Sequence, residues 1–262
     1  MGTLVAEKVE VPVETRPVAR RASYWRVARE ALLLAVMYAV YSAGRIYAAA
    51  HSGSAYDNAH RLVGWERALG LPSEASVQHA ALQVPHLAQA ANLYYAGVHF
   101  PLTAAVLIWL AARRPPVYPR VRWTLIALTA LALVGHTIFP LAPPRMLPGL
   151  GWVDTGIRFG QSVYGPTAQS GMANQFAAMP SLHVGWAALV AIAMITVTRS
   201  RLRWLWIAHP VITFAVVVLT ANHYWLDGIV ALALLACCLP LLAGTRSSDH
   251  NHLGKEVAPC QR

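Results

Sequence analysis

The chain has 262 residues, of which 56% are hydrophobic and only 12% charged, and its net charge is +10. A soluble domain carries roughly 25% charged residues, and half that share cannot coat a globule of this size with polar surface. Intrinsic disorder is excluded by the apolar content, and collagen-like or disulfide-rich classes by 17 glycines and 3 cysteines. A polytopic membrane protein remains.

A spanning helix needs about 20 mostly apolar residues, and six stretches of the sequence qualify. A basic tail, residues 1–26, precedes the first, Val27–Ala49. Ala48 and Ala50 form a weak cleavage pattern, but a long apolar run behind a long charged tail reads as an uncleaved anchor. In the first outer link, residues 50–89, the apolar Leu62, Val63, Trp65, Ala68 and Leu69 alternate with Arg61, Glu66 and Arg67 at helical spacing. This pattern predicts an amphipathic helix lying on the membrane surface, and it fits a surface-packing lid better than a binding element. Gly70-Leu71-Pro72-Ser73 breaks it, and Ser73 is placed to cap a second short helix.

The second span is Ala90–Ala112 and the third Trp123–Pro140. A second outer link, residues 141–180, follows. It is rich in proline and glycine, opening Pro140-Leu141-Ala142-Pro143-Pro144-Arg145 and closing Ala178-Met179-Pro180. A loop of that length in a compact chain is usually functional, and irregular backbone at membrane depth must line a cavity or pack on protein. Spans four to six are Leu182–Thr198, Trp204–Ala221 and Trp225–Ala243, before a tail of residues 244–262. Spans three to five are short, which leaves little room for tilt. The expected fold is all-α: a six-helix membrane domain over residues 27–243, with short interfacial helices in the outer links and a tail at each end. Cys237 and Cys238 are adjacent in span six and Cys260 is in the tail, so no disulfide is expected.

Basic residues set the orientation. Lys8, Arg16, Arg20, Arg21, Arg26 and Arg29 lie in the first tail. Arg113, Arg114, Arg120 and Arg122 lie between spans two and three, Arg199, Arg201 and Arg203 between four and five, and Arg246, Lys255 and Arg262 in the last tail. On the other side, Arg45, Arg61, Arg67, Arg145 and Arg158 are balanced by Asp57, Glu66, Glu74, Asp154 and Asp227. The whole excess therefore falls on one face. Both termini are expected in the cytoplasm, with the cell membrane as the location. Charge that flanks spans, without a recognition motif, excludes a nucleic-acid partner and suits anionic lipid headgroups.

Ionisable groups near a span are costly and mark function. His223 and Asp227 sit four apart at the outer start of span six, so on a helix they share a face. An Asp that accepts from one imidazole nitrogen fixes the tautomer and leaves the other lone pair free, which makes a nucleophile or base. A satisfied polar pair that holds helices together has the same spacing, and both readings stand. His183, at the outer start of span four, and Arg145, held by Pro143-Pro144, lie at the same membrane level. Two His, one Asp and one Arg at one level favour a catalytic constellation. His99 and His136 fit supporting or packing roles, His209 a structural one, and Arg45 a snorkelling anchor. The two His and the Asp also suit a metal, but no further His or Cys is obviously placed with them.

Met179-Pro180-Ser181-Leu182-His183 followed by His223-Tyr224-Trp225-Leu226-Asp227 resembles the type 2 phosphatidic acid phosphatase superfamily over roughly residues 90–240. Pro143-Pro144-Arg145 resembles its inositol phosphorylceramide synthase-like branch. The resemblance implies a metal-independent lipid phosphatase or inositolphosphotransferase without a cofactor, acting on a membrane lipid at the extracytoplasmic face. It implies that His223 takes the phosphoryl group, Asp227 orients it, His183 protonates the leaving oxygen, and Arg145 with Ser181 holds phosphate oxygens. The chain departs from the broad superfamily at Ile138 and Val217, where cations stand, and at Leu182, where glycine is usual. Fewer cations imply a less anionic substrate, so headgroup transfer from a phosphodiester stands beside dephosphorylation. A transporter or scaffold built on the same bundle is the non-enzymatic alternative.

Overall fold

The computed structural model describes residues 52–161 and 176–243, with isolated positions at 32, 36, 39, 40 and 43. Span one therefore lies outside the described residues, apart from those positions. Met1–Tyr41 separates as its own unit, in which Leu32, Val36 and Val40 are helical and exposed. The rest is all-helical, with no strand among the described residues.

Helix α1, Ser52–Ala68, and α2, Glu74–Leu82, form the first outer link. Ser73 caps α2 as expected, its side chain accepting from the Ser76 N–H. The apolar stripe of α1 divides: Ala55, Ala59, Leu62 and Val63 are buried against Leu141, Ala142, Leu147, Ala178 and Tyr224, whereas Trp65 and Leu69 stay exposed. Glu66, three and four positions beyond Val63 and Leu62, lies on the same stripe and is 4% exposed.

Span two is two helices, α3, Leu87–Gly97, and α4, His99–Arg113, bent by 40°. Pro101 lacks an N–H, and its ring clashes with the carbonyl four residues back, which is Gly97; that breaks the helix where it bends. Helix α5, Tyr118–Ile138, follows, and a short α6, Thr155–Arg158, lies in the second outer link. Leu141 N–H donates to Phe176 (2.8 Å) and Ala178 N–H to Leu141 (3.3 Å), which pins the two ends of that link together.

Helix α7, Leu182–Val197, is central: nine of its residues are buried, and it packs on α4, α5, α8 and α9. Helix α8, Ala208–Leu219, continues a 3-10 turn, Arg201–Ile207, and α9, Trp225–Ala243, closes the bundle. Residues 118–138, 201–219 and 225–242 are long and apolar enough to cross a membrane, and the bent α3–α4 pair makes a fourth. Helix α7 has 16 residues, about 24 Å at 1.5 Å per residue, short of a bilayer core of about 30 Å. Ile108, Val134, Ile138, Val211 and Leu241 are exposed. Large apolar side chains left outward on apolar helices mark an integral membrane protein.

The close approach at Gly135 positions the site. A Cβ there would lie 2.8 Å from Pro180 Cδ, and a prolyl ring cannot swing aside. Gly135→Ala is expected to lower the melting temperature in detergent, at a cost of about 1–3 kcal/mol. A wild-type melting temperature would show that the corner yields.

Candidate active site

The end of α5, the start of α7, the end of α8 and the start of α9 meet at one end of the bundle. The arginine-rich segments 113–122 and 199–203 lie at the other ends of the same helices.

The turn from α8 to α9 carries His223. Ala221 is left-handed (φ 54°), uncommon for a residue with a side chain and kept only where the surroundings hold it. Here the Arg145 N–H donates to the Ala221 carbonyl (3.0 Å), and the Asn222 and His223 N–H groups both donate to Val217 (3.0 and 3.1 Å). His223 Nδ1 donates to the Ala178 carbonyl (2.8 Å) and faces Asp227 Oδ2 (3.2 Å). A carbonyl only accepts, so Nδ1 bears the proton and the neutral ring keeps its lone pair on Nε2. Asp227 is fully buried. Its Oδ2 also accepts from the Tyr224 N–H (2.9 Å), and its carbonyl accepts from the Ser181 N–H (3.0 Å).

His183, in the first turn of α7, faces His223 with ring centroids 5.7 Å apart. Tyr95 stacks on it at 4.5 Å, with Phe100 at 5.2 Å and His99 at 5.0 Å. These rings fix the imidazole by shape. Its Nε2 is buried and has no hydrogen-bond partner among the described residues. Ser181 is buried and caps α7, its Oγ accepting from the Val184 N–H (3.4 Å); as an acceptor there, the hydroxyl keeps its own proton to donate.

Arg145 sits in a 3-10 turn, Pro144–Met146. Nη1 donates to Asn222 Oδ1 (2.9 Å), and Nε is 3.4 Å from Asp154 Oδ2. The guanidinium is thereby aimed at the residue preceding His223. The five residues singled out from sequence, His183, His223, Asp227, Arg145 and Ser181, thus converge. Asn222 and Asp154 were not expected. Asn222 beside His223 was a visible polar residue in an apolar stretch, whereas nothing local marked Asp154.

Three other histidines, His99, His136 and His209, lie around the pair. His136 Nε2 donates to the Pro180 carbonyl (3.0 Å). His99 lies between His183 and His209, the latter at 5.7 Å, and His209 Nδ1 is 2.7 Å from the Tyr94 hydroxyl. Ile138 is 77% exposed, and Val217 is fully buried under the His223 turn. Arg45 lies outside the described residues.

The fold and the site define an integral membrane protein with a buried histidine–carboxylate centre at one end of its helices. The chain matches the family described as PAP2 superfamily over residues 60–241, more than half its length, and belongs to that superfamily. No curated protein and no solved structure gives a match. PAP2 superfamily membership points to phosphatase or phosphotransferase activity on phosphate esters.

Proposed function

We propose that this protein transfers the phosphoryl or phospho-headgroup portion of a membrane lipid through a phosphohistidine on His223. The observation that carries the reading is the clasp on His223 Nδ1, which leaves Nε2 as the nucleophilic lone pair, with the His183 ring facing it. In the first step a P–N bond forms at Nε2 while the bond from phosphorus to the leaving oxygen breaks. Protonated His183 gives that oxygen its proton. In the second step water or an alcohol attacks phosphorus, the P–N bond breaks, and His183 takes the attacking hydroxyl's proton. Arg145 and the Ser181 hydroxyl hold the equatorial oxygens, where charge is spread in the transition state.

The basic links lie at the opposite end of the helices, which supports an extracytoplasmic site; six spans, both termini inside and the cell membrane as location complete the proposed setting. A lipid substrate suits a centre at the end of apolar helices. A transporter would need a polar path, and the bundle interior holds Leu128, Leu189, Val190, Val217 and Leu235.

Headgroup transfer from a phosphodiester, as in the inositolphosphotransferase-like branch, is the second reading. It is favoured by the Asp154 carboxylate beside Arg145, which offsets the positive charge that a dianionic monoester would need. Purified protein is to be assayed with lipid phosphates, lipid diphosphates and phosphodiesters, following both released phosphate and transferred headgroup. Transfer to an alcohol from a diester is expected on the second reading, and exclusive, rapid phosphate release from a monoester or diphosphate would refute it. No turnover of any ester would refute both.

A further inference from the structure

Three carboxylates from three elements meet around the first turn of α9. Helix N-terminal N–H groups have no partner within their own helix, and here they are received from the outer link. Leu226 N–H donates to Glu66 Oε1 (2.8 Å) and Trp225 N–H to Glu74 Oε1 (3.4 Å). Trp225 Nε1 donates to the Pro72 carbonyl between them (2.7 Å). Glu66 and Glu74 are each 4% exposed, unusual for glutamates 150 or more residues away in sequence from the groups they cap.

We infer that Glu66, held as a neutral carboxylic acid, is a positioning residue that clamps the first turn of α9 and so aligns His223 for attack. The inference rests on the phosphoryl-transfer reading of His223. His223 is two residues before the clamped turn, and its Asp227 partner is in that turn. Loosening the turn therefore moves both ends of the clasp that aims Nε2, and in-line attack tolerates little displacement.

The protonation state follows from the neighbours. Glu66 faces Glu74 from the start of α2 and Asp227 from α9, with the Tyr224 hydroxyl also near these carboxylates. Arg67, on its own helix, lines the same small cavity; Arg145 and Asp154, in the adjoining loop, pair with each other. Like charges this close, out of water, cannot all ionise. No donor faces Glu66 Oε2 among the described residues, and its neighbour is the Glu74 carboxylate. A proton on Glu66 lets it donate there. Burial first, and then Glu74, push the Glu66 carboxyl up to about 9, against the lowering effect of the Leu226 N–H. A cavity of about 60 Å³, lined by Glu66, Glu74, Ser73 and Trp152, opens beside it for proton exchange.

Glu66 keeps its proton in the fold where the unfolded chain has lost it, so fold stability decreases as pH rises from about 4.5 toward about 9. Above that, an ionised Glu66 repels Glu74 and Asp227 and opens the clamp.

The test uses the full chain in detergent, with turnover of its best phosphate ester measured from pH 6 to 10. For Glu66→Leu, kcat is expected to fall at least tenfold with KM within threefold of wild type. Glu66→Gln keeps the Leu226 acceptor without a charge. It is expected to hold kcat within threefold at pH 7 and to lose the alkaline fall near pH 9 that is expected of wild type, while the fall at lower pH that belongs to the His183 proton stays. Wild-type kcat in Glu66→Leu would overturn the inference. So would Glu66→Gln that keeps the alkaline fall or loses tenfold in kcat at pH 7. If Glu66→Leu does not fold, the Glu66→Gln profile decides alone. Failure of the underlying reading shows separately, as wild-type turnover that survives His223→Ala.

Discussion

His223→Ala is expected to abolish turnover, by more than the roughly 10²–10³-fold that loss of a single stabilising donor costs. Among the described residues no other imidazole is held in the same way: His183 has no carboxylate clasp there, and His136 spends Nε2 on the Pro180 carbonyl. The nucleophile would then have to be water, which lacks both the fixed position and the lone pair that the Ala178–His223–Asp227 arrangement supplies. The substitution also strips Asp227 Oδ2 of one of its donors, leaving the Tyr224 N–H, a loss of about 1–3 kcal/mol in a buried site. A melting curve therefore accompanies the rate measurement, and His223→Asn serves as a second variant that retains a polar side chain. Rapid quenching after mixing with a phosphorus-labelled substrate should trap an acid-labile phosphoenzyme in wild type and none in His223→Ala. Unchanged turnover would remove His223 from the mechanism.

Arg145→Gln is expected to cost at least tenfold in kcat/KM. A charge-assisted hydrogen bond contributes about 1.5–3 kcal/mol, and each 1.4 kcal/mol is a factor of ten. The geometry makes the charge hard to replace. The side chain is 4% exposed and is held from two sides, by Asn222 and Asp154, so bulk cations do not substitute for it. Glutamine keeps a donor for Asn222 but leaves Asp154 without its partner beside a site meant for an anion. The double variant Arg145→Gln, Asp154→Asn should recover stability lost through that stranded carboxylate without recovering the rate. A single variant that keeps a tenth of wild-type activity or more would count against Arg145 as the phosphate holder.

How much of this was legible beforehand depended on whether the signal was local. Composition and apolar run length speak for a membrane protein because a bilayer demands them of any chain. The cap at Ser73, the starts of α7 and α9, and the His223–Asp227 spacing were all readable, since each is decided within about one helical turn. The bend at Gly97–Pro101 has an equally local cause, yet a hydropathy window passes over it. Helix α1 shows the limit of such signals. Its periodicity marks a stripe but not what each part of the stripe faces, and Glu66, charged and so polar by type, is buried.

The amino-acid sequence by itself determined the helical class, the membrane setting and the chemical identity of the candidate site groups. Those properties follow from side-chain type and short-range spacing. Tertiary structure decided which distant groups meet: Asp154 and Asn222 on Arg145, the Ala178 carbonyl on His223, His183 facing His223, and Glu66 and Glu74 on the first turn of α9. Pairing across separations such as the 45 residues from Ala178 to His223 or the 160 from Glu66 to Leu226 leaves no periodic trace in the chain. It arises only when packing around α7 removes those polar groups from water and obliges each to find a partner.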